Sequence, residues 1–411
     1  MQKEILRVED LTVIFGPAPE KQALPLLREG KSKAEIQEQT GHIVGVAGAS
    51  FSVRKGDLFV VMGLSGSGKS TLIRCINRLI TPTSGHVYVE DEDVVQMDKE
   101  RLRELRRTRL SMVFQQFNLF EHKSVWENTA FGLKIQGVDK DEQYRRSLET
   151  LEIVGLKPWA EQSLSSLSGG MQQRVGLARA LATDADILLM DEAFGALDPL
   201  IRREMQDELL DIQEKFHKTI IFITHDLNEA LRVGDHVAIM KDGEIVQIGS
   251  PIDIITHPDD EYVAAFIQDV DQARVITAAA VMDTPPTVTE GPELLQKAMQ
   301  TFEQNKQEDR LYIVDAQQQP QGLLYKDDVL EAANNGNVQL EQYIRQDFAR
   351  AAPDSILADL YAPGAHNPAI AVVDEQGRLQ GSLNARTILA NLGHIQEIGS
   401  IDENSEEETH E

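Results

Sequence analysis

Leu58-Phe-Val-Val-Met62, followed by Gly63-Leu64-Ser65-Gly66-Ser67-Gly68-Lys69-Ser70-Thr71, is the stretch that decides the fold. The first five residues are a short apolar run with two β-branched members, bounded by Gly56-Asp57 and Gly63. That is the pattern of a strand buried on both faces. The glycine, four residues and Gly-Lys-Ser that follow run into the apolar periodicity of Leu72 to Ile80. A glycine-rich turn between a strand and a helix is the phosphate-loop arrangement. The residue types follow from the task. Glycines let backbone N–H groups close around an anion with no Cβ in the way. The following helix aims its positive end at the same point. Lys69 is expected to reach the β- and γ-phosphates of a nucleoside triphosphate, and the Ser70 hydroxyl to ligate Mg²⁺.

Working outward, Ile187-Leu-Leu-Met-Asp191-Glu192 is a second apolar strand, ending in two acids. Beside the first strand it brings Asp191 to the metal and leaves Glu192 to polarise the attacking water. Thr219-Ile-Ile-Phe-Ile-Thr-His225-Asp226 is a third, ending in a histidine. Ligand sites of α/β sheets gather at such strand ends, so His225 is a γ-phosphate candidate. Leu167-Ser168-Gly169-Gly170-Met-Gln-Gln173-Arg174 then starts a helix whose Ser168 cap and glycine-rich first turn form another anion-binding helix end. One nucleotide does not need two such ends from one chain. Two chains, each lending one end to the other's nucleotide, explain both.

Leu167 to Arg174 resembles the signature motif of ABC ATPases, and the other motifs fall in that family's order over about residues 1–270. The resemblance implies an α/β P-loop ATPase with a helical subdomain at about 100–175, working with ATP and Mg²⁺ as a homodimer. It implies Glu192 as general base, His225 as switch histidine, and Gln115 as γ-phosphate sensor and metal ligand with Ser70 and Asp191. Ser168, Gly169, Gly170 and Gln173 become contacts to the partner chain's ATP, and Asp198 part of a loop crossing the dimer interface. Phe15 becomes the aromatic that stacks on adenine; by its own surroundings it reads equally as a core aromatic at a strand end. Asp198, before Pro199, also suits a helix N-cap.

Size and composition set limits. The 411 residues suffice for two or three domains, and 41% hydrophobic content suits a packed core. A net charge of −27 argues against nucleic acid as a partner. The single cysteine, Cys75, excludes an internal disulfide and reads as a core residue. No apolar run approaches the roughly 20 residues that span a bilayer, and Met1 to Asp10 lacks a signal-peptide core. The expected location is the cytoplasmic face of a membrane, reached through a protein partner. The basic run Asp98 to Arg109 is either a solvated helix face or a contact to that partner or to lipid headgroups.

Two further features resemble the ATP-binding subunits of glycine betaine/proline osmoprotectant importers. One is an inserted segment, Lys21 to Gly41, suited to one or two short helices; the other is the run Met190 to Leu209. The resemblance implies import of a quaternary amine or proline, with membrane permease subunits fused to or paired with a substrate-binding domain. An importer for a different amine or amino acid is the alternative. A soluble ABC enzyme is disfavoured, because the chain has one ATPase cassette and no sustained heptads.

After about Val275 an internal repeat appears. Ile313-Val-Asp315 to Leu324 matches Val372-Val-Asp374 to Leu383, and Leu330 and Leu389 take equivalent places in the helices that follow. This resembles an α+β tandem CBS module, expected at 275–345 and 346–398. Such modules often bind adenine nucleotides. Of the family's nucleotide pattern only Asp328 is present, which leaves cyclic di-AMP or another adenine nucleotide, ionic-strength sensing, or a ligand-free dimerisation clamp as readings. Residues 399–411 form an acidic tail, either merely solvated or an electrostatic latch.

Overall fold

The structure, a computed structural model, describes residues 3–115, 118–195, 197–268, 272–291, 293–334 and 340–390. The tail beyond residue 390 lies outside them. The chain divides into two compact units, Met1–Asp269 and Val270–Glu411.

The first unit holds a six-stranded sheet in the order Glu244–Gly249, His236–Lys241, Leu58–Met62, Thr219–Thr224, Ile187–Asp191, Leu110–Val113. All neighbours are parallel except the first pair. The strands Leu58–Met62, Ile187–Asp191 and Thr219–Thr224 are buried at every residue. Parallel strands covered on both faces need such unbroken apolar runs. Their register pairs Met62 with Thr224 and Asp191 with Ile223, so Gly63, Glu192 and His225 emerge at one edge. A second, antiparallel sheet runs Ile43–Arg54, Glu4–Phe15, Ser84–Val89, Glu92–Asp93. Phe51 of this sheet stacks on Phe59 of the other at 5.0 Å, within one core that includes Cys75. The helices Val125–Thr129, Phe131–Gln136 and Lys140–Ile153 pack on the helix Gly169–Ala182.

The inserted segment forms three short helices rather than one or two: Pro19–Gln22, Leu24–Arg28 and Lys33–Thr40. The reason is local. Pro19 and Pro25 each start a helix, where a missing N–H costs nothing. Gly30, at φ 82°, ends the second, and a Ser32–Glu35 capping box begins the third. Apolar spacing alone does not reveal these breaks.

In the second unit the repeat is structural. Each copy is a three-stranded sheet with a parallel and then an antiparallel pairing: Thr287–Thr289, Arg310–Val314, Pro320–Tyr325, and Phe348–Ala351, Ala369–Val373, Leu379–Leu383. Asp315 Oδ1 accepts from the backbone N–H groups of Gln317 and Gln319, and Asp374 Oδ1 from those of Gln376 and Arg378. Gln321 and Gln380 donate to the other oxygens. The sheets share a core through Tyr312, Val314, Leu323, Ala369 and Ala371. The equivalent leucines, Leu330 and Leu389, are both exposed.

Candidate functional site

The loop after Met62 is shaped by close backbone approaches. Gly68 has φ 103°, and a Cβ there would lie 2.2 Å from the Gly45 carbonyl oxygen. Leu64, Ser65 and Gly66 form an exposed rim, whereas Ser67 and Lys69 are buried. Lys69 Nζ folds back to donate to the carbonyls of Gly63 (2.9 Å) and Leu64 (3.0 Å). Burial pushes its pKa down, against the opposing pull of the Glu192 and Asp191 carboxylates. The Ser67 hydroxyl is buried with no hydrogen-bond partner. An orphaned hydroxyl and a desolvated ammonium in one loop suit an incoming oxyanion.

Behind the loop, Asp191 is 1% exposed. Its Oδ1 accepts from Ser70 Oγ (2.7 Å) and its Oδ2 from Arg74 (3.0 Å). A hydroxyl beside a carboxylate is a hard-oxygen pair that fits Mg²⁺, which characteristically takes one or two carboxylates and leaves its other positions to phosphate and water. Glu192 sits at φ 47°, a left-handed conformation uncommon for a side-chain-bearing residue and one that clusters at active sites. Its carboxylate accepts from Gln115 Nε2 (3.0 Å) and lies 4.0 Å from Lys69 Nζ and 3.7 Å from His225 Nδ1. Thus Lys69, Gln115, Glu192 and His225 meet at one point. Gln115 reaches Glu192 here rather than the Ser70–Asp191 pair.

Phe15 ends its strand 43% exposed. Its ring and Thr71 crowd Gly45, where a Cβ would lie 2.8 Å from Phe15 Cε2 and 3.3 Å from Thr71 Cγ2. The aromatic is therefore at the start of the phosphate-loop helix, with a free face.

The helix Gly169–Ala182 begins at Ser168, whose hydroxyl accepts from the Met171 N–H (3.3 Å). Ser168 and Gly169 are exposed. Gly170 is pressed on Ile201, where a Cβ would lie 2.9 Å from Ile201 Cγ2. Asp198, exposed, caps the helix Pro199–Phe216 by accepting from Leu200 and Ile201 N–H. Gln173 corrects the expectation of a contact to a partner chain. It is 1% exposed, and both amide atoms are buried without partners. Five residues past the cap, the helix has turned this side chain inward.

Residues 46–195 match the ABC transporter family model, and residues 278–335 the CBS domain model. The chain is 48% identical over 379 residues to the glycine betaine transport ATP-binding protein OpuAA of Bacillus subtilis, spanning 92% of this chain and 89% of that one. It is 46% identical to the glycine betaine/carnitine transport ATP-binding protein GbuA of Listeria monocytogenes, over 94% and 97%. The chain belongs to the glycine betaine transport ATP-binding proteins of the ABC family. Among solved structures it resembles the ATP-binding cassette MJ0796 in a dimeric post-hydrolysis state bound to ADP and Pi. That match has a TM-score of 0.52 and 29% identity, and covers 60% of this chain and 99% of that one.

Within this ABC-type ATPase, two contributors escape a motif reading. Arg74 reaches Asp191. Its signal was present, since position i+4 from Ser70 places both on one helix face. Glu229, 5% exposed, takes hydrogen bonds from Thr224 and Gln206 directly behind His225. Burial raises its pKa, against those hydrogen bonds. Asp226 both caps the following helix and donates its N–H to Thr224 Oγ1, so this network holds the histidine's strand end. In the C-terminal unit, Asp328 is occupied internally. Arg345 pairs with it at 2.8 Å while stacking on Tyr325 at 4.5 Å. Among the described residues no helix is long and apolar enough to cross a membrane.

Proposed function

We propose that two copies of this chain clasp ATP between the phosphate loop of one and the Ser168 helix end of the other, and that hydrolysis drives import of glycine betaine or a related quaternary amine. The observation that carries the catalytic part is the convergence of Gln115, Lys69 and His225 on Glu192, beside the Ser70–Asp191 pair. Lys69 exchanges its carbonyl partners for the β- and γ-phosphates. Glu192 takes the proton of the attacking water, and His225 steadies the γ-phosphate. Gln115, held by Glu192, registers the γ-phosphate and passes its presence to the helical segment beyond. Ser70 and Asp191 would hold Mg²⁺, which when bound would supply positive charge opposite the phosphate oxygens. Phe15 offers its free face to adenine. Glu192→Gln is expected to keep ATP binding, to lower turnover about 10²- to 10⁴-fold, and to leave a long-lived closed dimer. Wild-type turnover in that variant refutes the assignment.

The relatives' names support the betaine class. The partner is a multi-span permease carrying or recruiting a substrate-binding domain, which makes this chain peripheral on the cytoplasmic face. A groove lined by Arg106, Arg107, Phe114, Phe131, Ile135 and Arg179, next to Gln115, is the seat we assign to a permease loop. It joins the basic helix Lys99–Thr108 to an apolar floor. The 275–398 module acts as regulator, through ionic strength or through an adenine nucleotide such as cyclic di-AMP, which at Asp328 must displace Arg345. Coupled ATPase activity in anionic vesicles is expected to rise with KCl, and to lose that response when residues 275–411 are deleted. A flat response in the full chain removes the regulatory reading.

A further inference from the structure

The inserted segment joins two residues of the nucleotide site's own sheet. It leaves the strand Glu4–Phe15 directly after Phe15 and re-enters at Ile43, the residue paired with Phe15 across the sheet. Its closing residue, His42, is fully buried. Both ring nitrogens face backbone carbonyls: Nε2 that of Pro17 at 2.9 Å, and Nδ1 that of Thr40 at 3.1 Å. Pro17 is two residues beyond Phe15, and Thr40 ends the last inserted helix. The ring also lies hard against Gly16, where a Cβ would fall 2.3 Å from His42 Cδ2. No larger residue fits between Phe15 and Pro17 while this histidine is in place. A neutral imidazole with its proton on Nε2 donates to the Pro17 carbonyl, the shorter of the two contacts, and a doubly protonated one donates to both.

A second tie runs to the phosphate loop. Lys33 of the last inserted helix is packed on the turn at Gly243, where a Cβ would lie 2.5 Å from its Nζ. Asp242 and Glu244 on either side hold the charge that burial opposes. Gly243 donates its N–H to the carbonyl of Ser67 and accepts from Ala47 N–H. The segment is therefore tied at one end to the backbone that follows Phe15 and at the other, through the Gly243 turn, to the loop, and its apolar residues Ala23, Leu24 and Ile36 cluster with Ile14 and Val44.

We infer that His42 is a positioning residue for the base-stacking face of Phe15, and that the inserted segment 16–42 is a brace of the nucleotide site. The inference rests on the reading of Phe15 as the adenine stack. It assigns the nucleotide base to a platform whose adjoining backbone, Gly16-Pro17, is held by a buried imidazole.

The test is a double-mutant cycle on the full chain. The wild type, His42→Phe, Phe15→Ala and the double variant are titrated calorimetrically with ATP, and separately with inorganic tripolyphosphate, which has no base to stack. Loss of the stack in Phe15→Ala raises the ATP Kd about fivefold or more and leaves tripolyphosphate unchanged. His42→Phe fills the same space without donors. It is expected to raise the ATP Kd about threefold to fivefold, to leave tripolyphosphate unchanged, and to add nothing in the Phe15→Ala background. If His42→Phe does not fold, His42→Gln, which keeps a donor, takes its place with a smaller shift of the same pattern. Normal ATP binding in the His42 variants, with Phe15→Ala impaired, overturns the role of His42 and leaves the stack standing. Equal weakening toward ATP and tripolyphosphate overturns it in favour of general packing. Unchanged ATP binding in Phe15→Ala removes the stack itself, and the inference with it.

Discussion

Arg74→Met offers the sharpest test of how the Asp191 carboxylate is held. Asp191 is 1% exposed and has two oxygens, one served by Ser70 and the other by Arg74 at 3.0 Å. Methionine keeps most of the arginine stem and removes only the guanidinium. Unit charges about 4 Å apart, roughly the separation of the charge centres in such a pair, attract by about 4 kcal/mol at an effective dielectric of 20. The Arg74 side chain is 42% exposed, so water screens much of that. A hydrogen bond to a charged group contributes about 1.5 to 3 kcal/mol, and the exposed donor puts this one at the lower end. A loss of about 1.5 kcal/mol shifts the melting of a unit this size by about 3 to 6 °C. Trp126 and Trp159, the chain's two tryptophans, both lie in Met1–Asp269, so their fluorescence follows that unit alone. In EDTA the variant should melt earlier by this margin. With ATP and Mg²⁺ the gap should close, because the released oxygen gains a cation. An unchanged melting point in EDTA, or a deficit of equal size in both conditions, refutes the reasoning.

Two other substitutions probe the site's framework. Gly68→Ala, which sets a Cβ 2.2 Å from the Gly45 carbonyl at φ 103°, should weaken ATP binding by about tenfold or more by calorimetry; a normal Kd shows that the loop yields. Glu229→Gln removes a carboxyl whose pKa burial holds above its ordinary value of 4.5. A carboxyl raised in the folded chain favours folding fully below the unfolded value and loses that advantage as pH rises through the folded one. The variant's stability relative to wild type should therefore climb from about pH 4.5 upward, and a gap independent of pH refutes the burial argument.

The phosphate loop, the acid pair, the strand-ending histidine and the capped glycine-rich helix were all legible, because each is a short pattern with a mechanism of its own. So was the duplication around Asp315 and Asp374, where turn chemistry repeats. What escaped depends on distance in the chain. Arg74 matters only because a strand more than a hundred residues later delivers Asp191 to it. His42 gains meaning from Pro17 across a 24-residue excursion. Gln173 sits inside a recognised motif, yet helical rotation carries it into the interior, which no motif states. The third inserted helix is announced by Ser32 and Glu35, a capping pair that apolar counting passes over. Asp328 matched a ligand pattern, while its actual partner, Arg345, lies in the next segment and carries no pattern.

Because Gly170 has no side chain, the tip that carries Ser168 rests directly on the first turn of the helix opened by Asp198. That turn is seven residues from the strand end bearing Asp191. The exposed Ser168 tip and the helix that begins seven residues after Asp191, at the Asp198 cap, are thus packed on each other with no side chain of Gly170 between them. In the dimer proposed above, a subunit seated on Ser168 would bear through Gly170 on Ile201, and so on the helix that leads away from the Asp191 strand end.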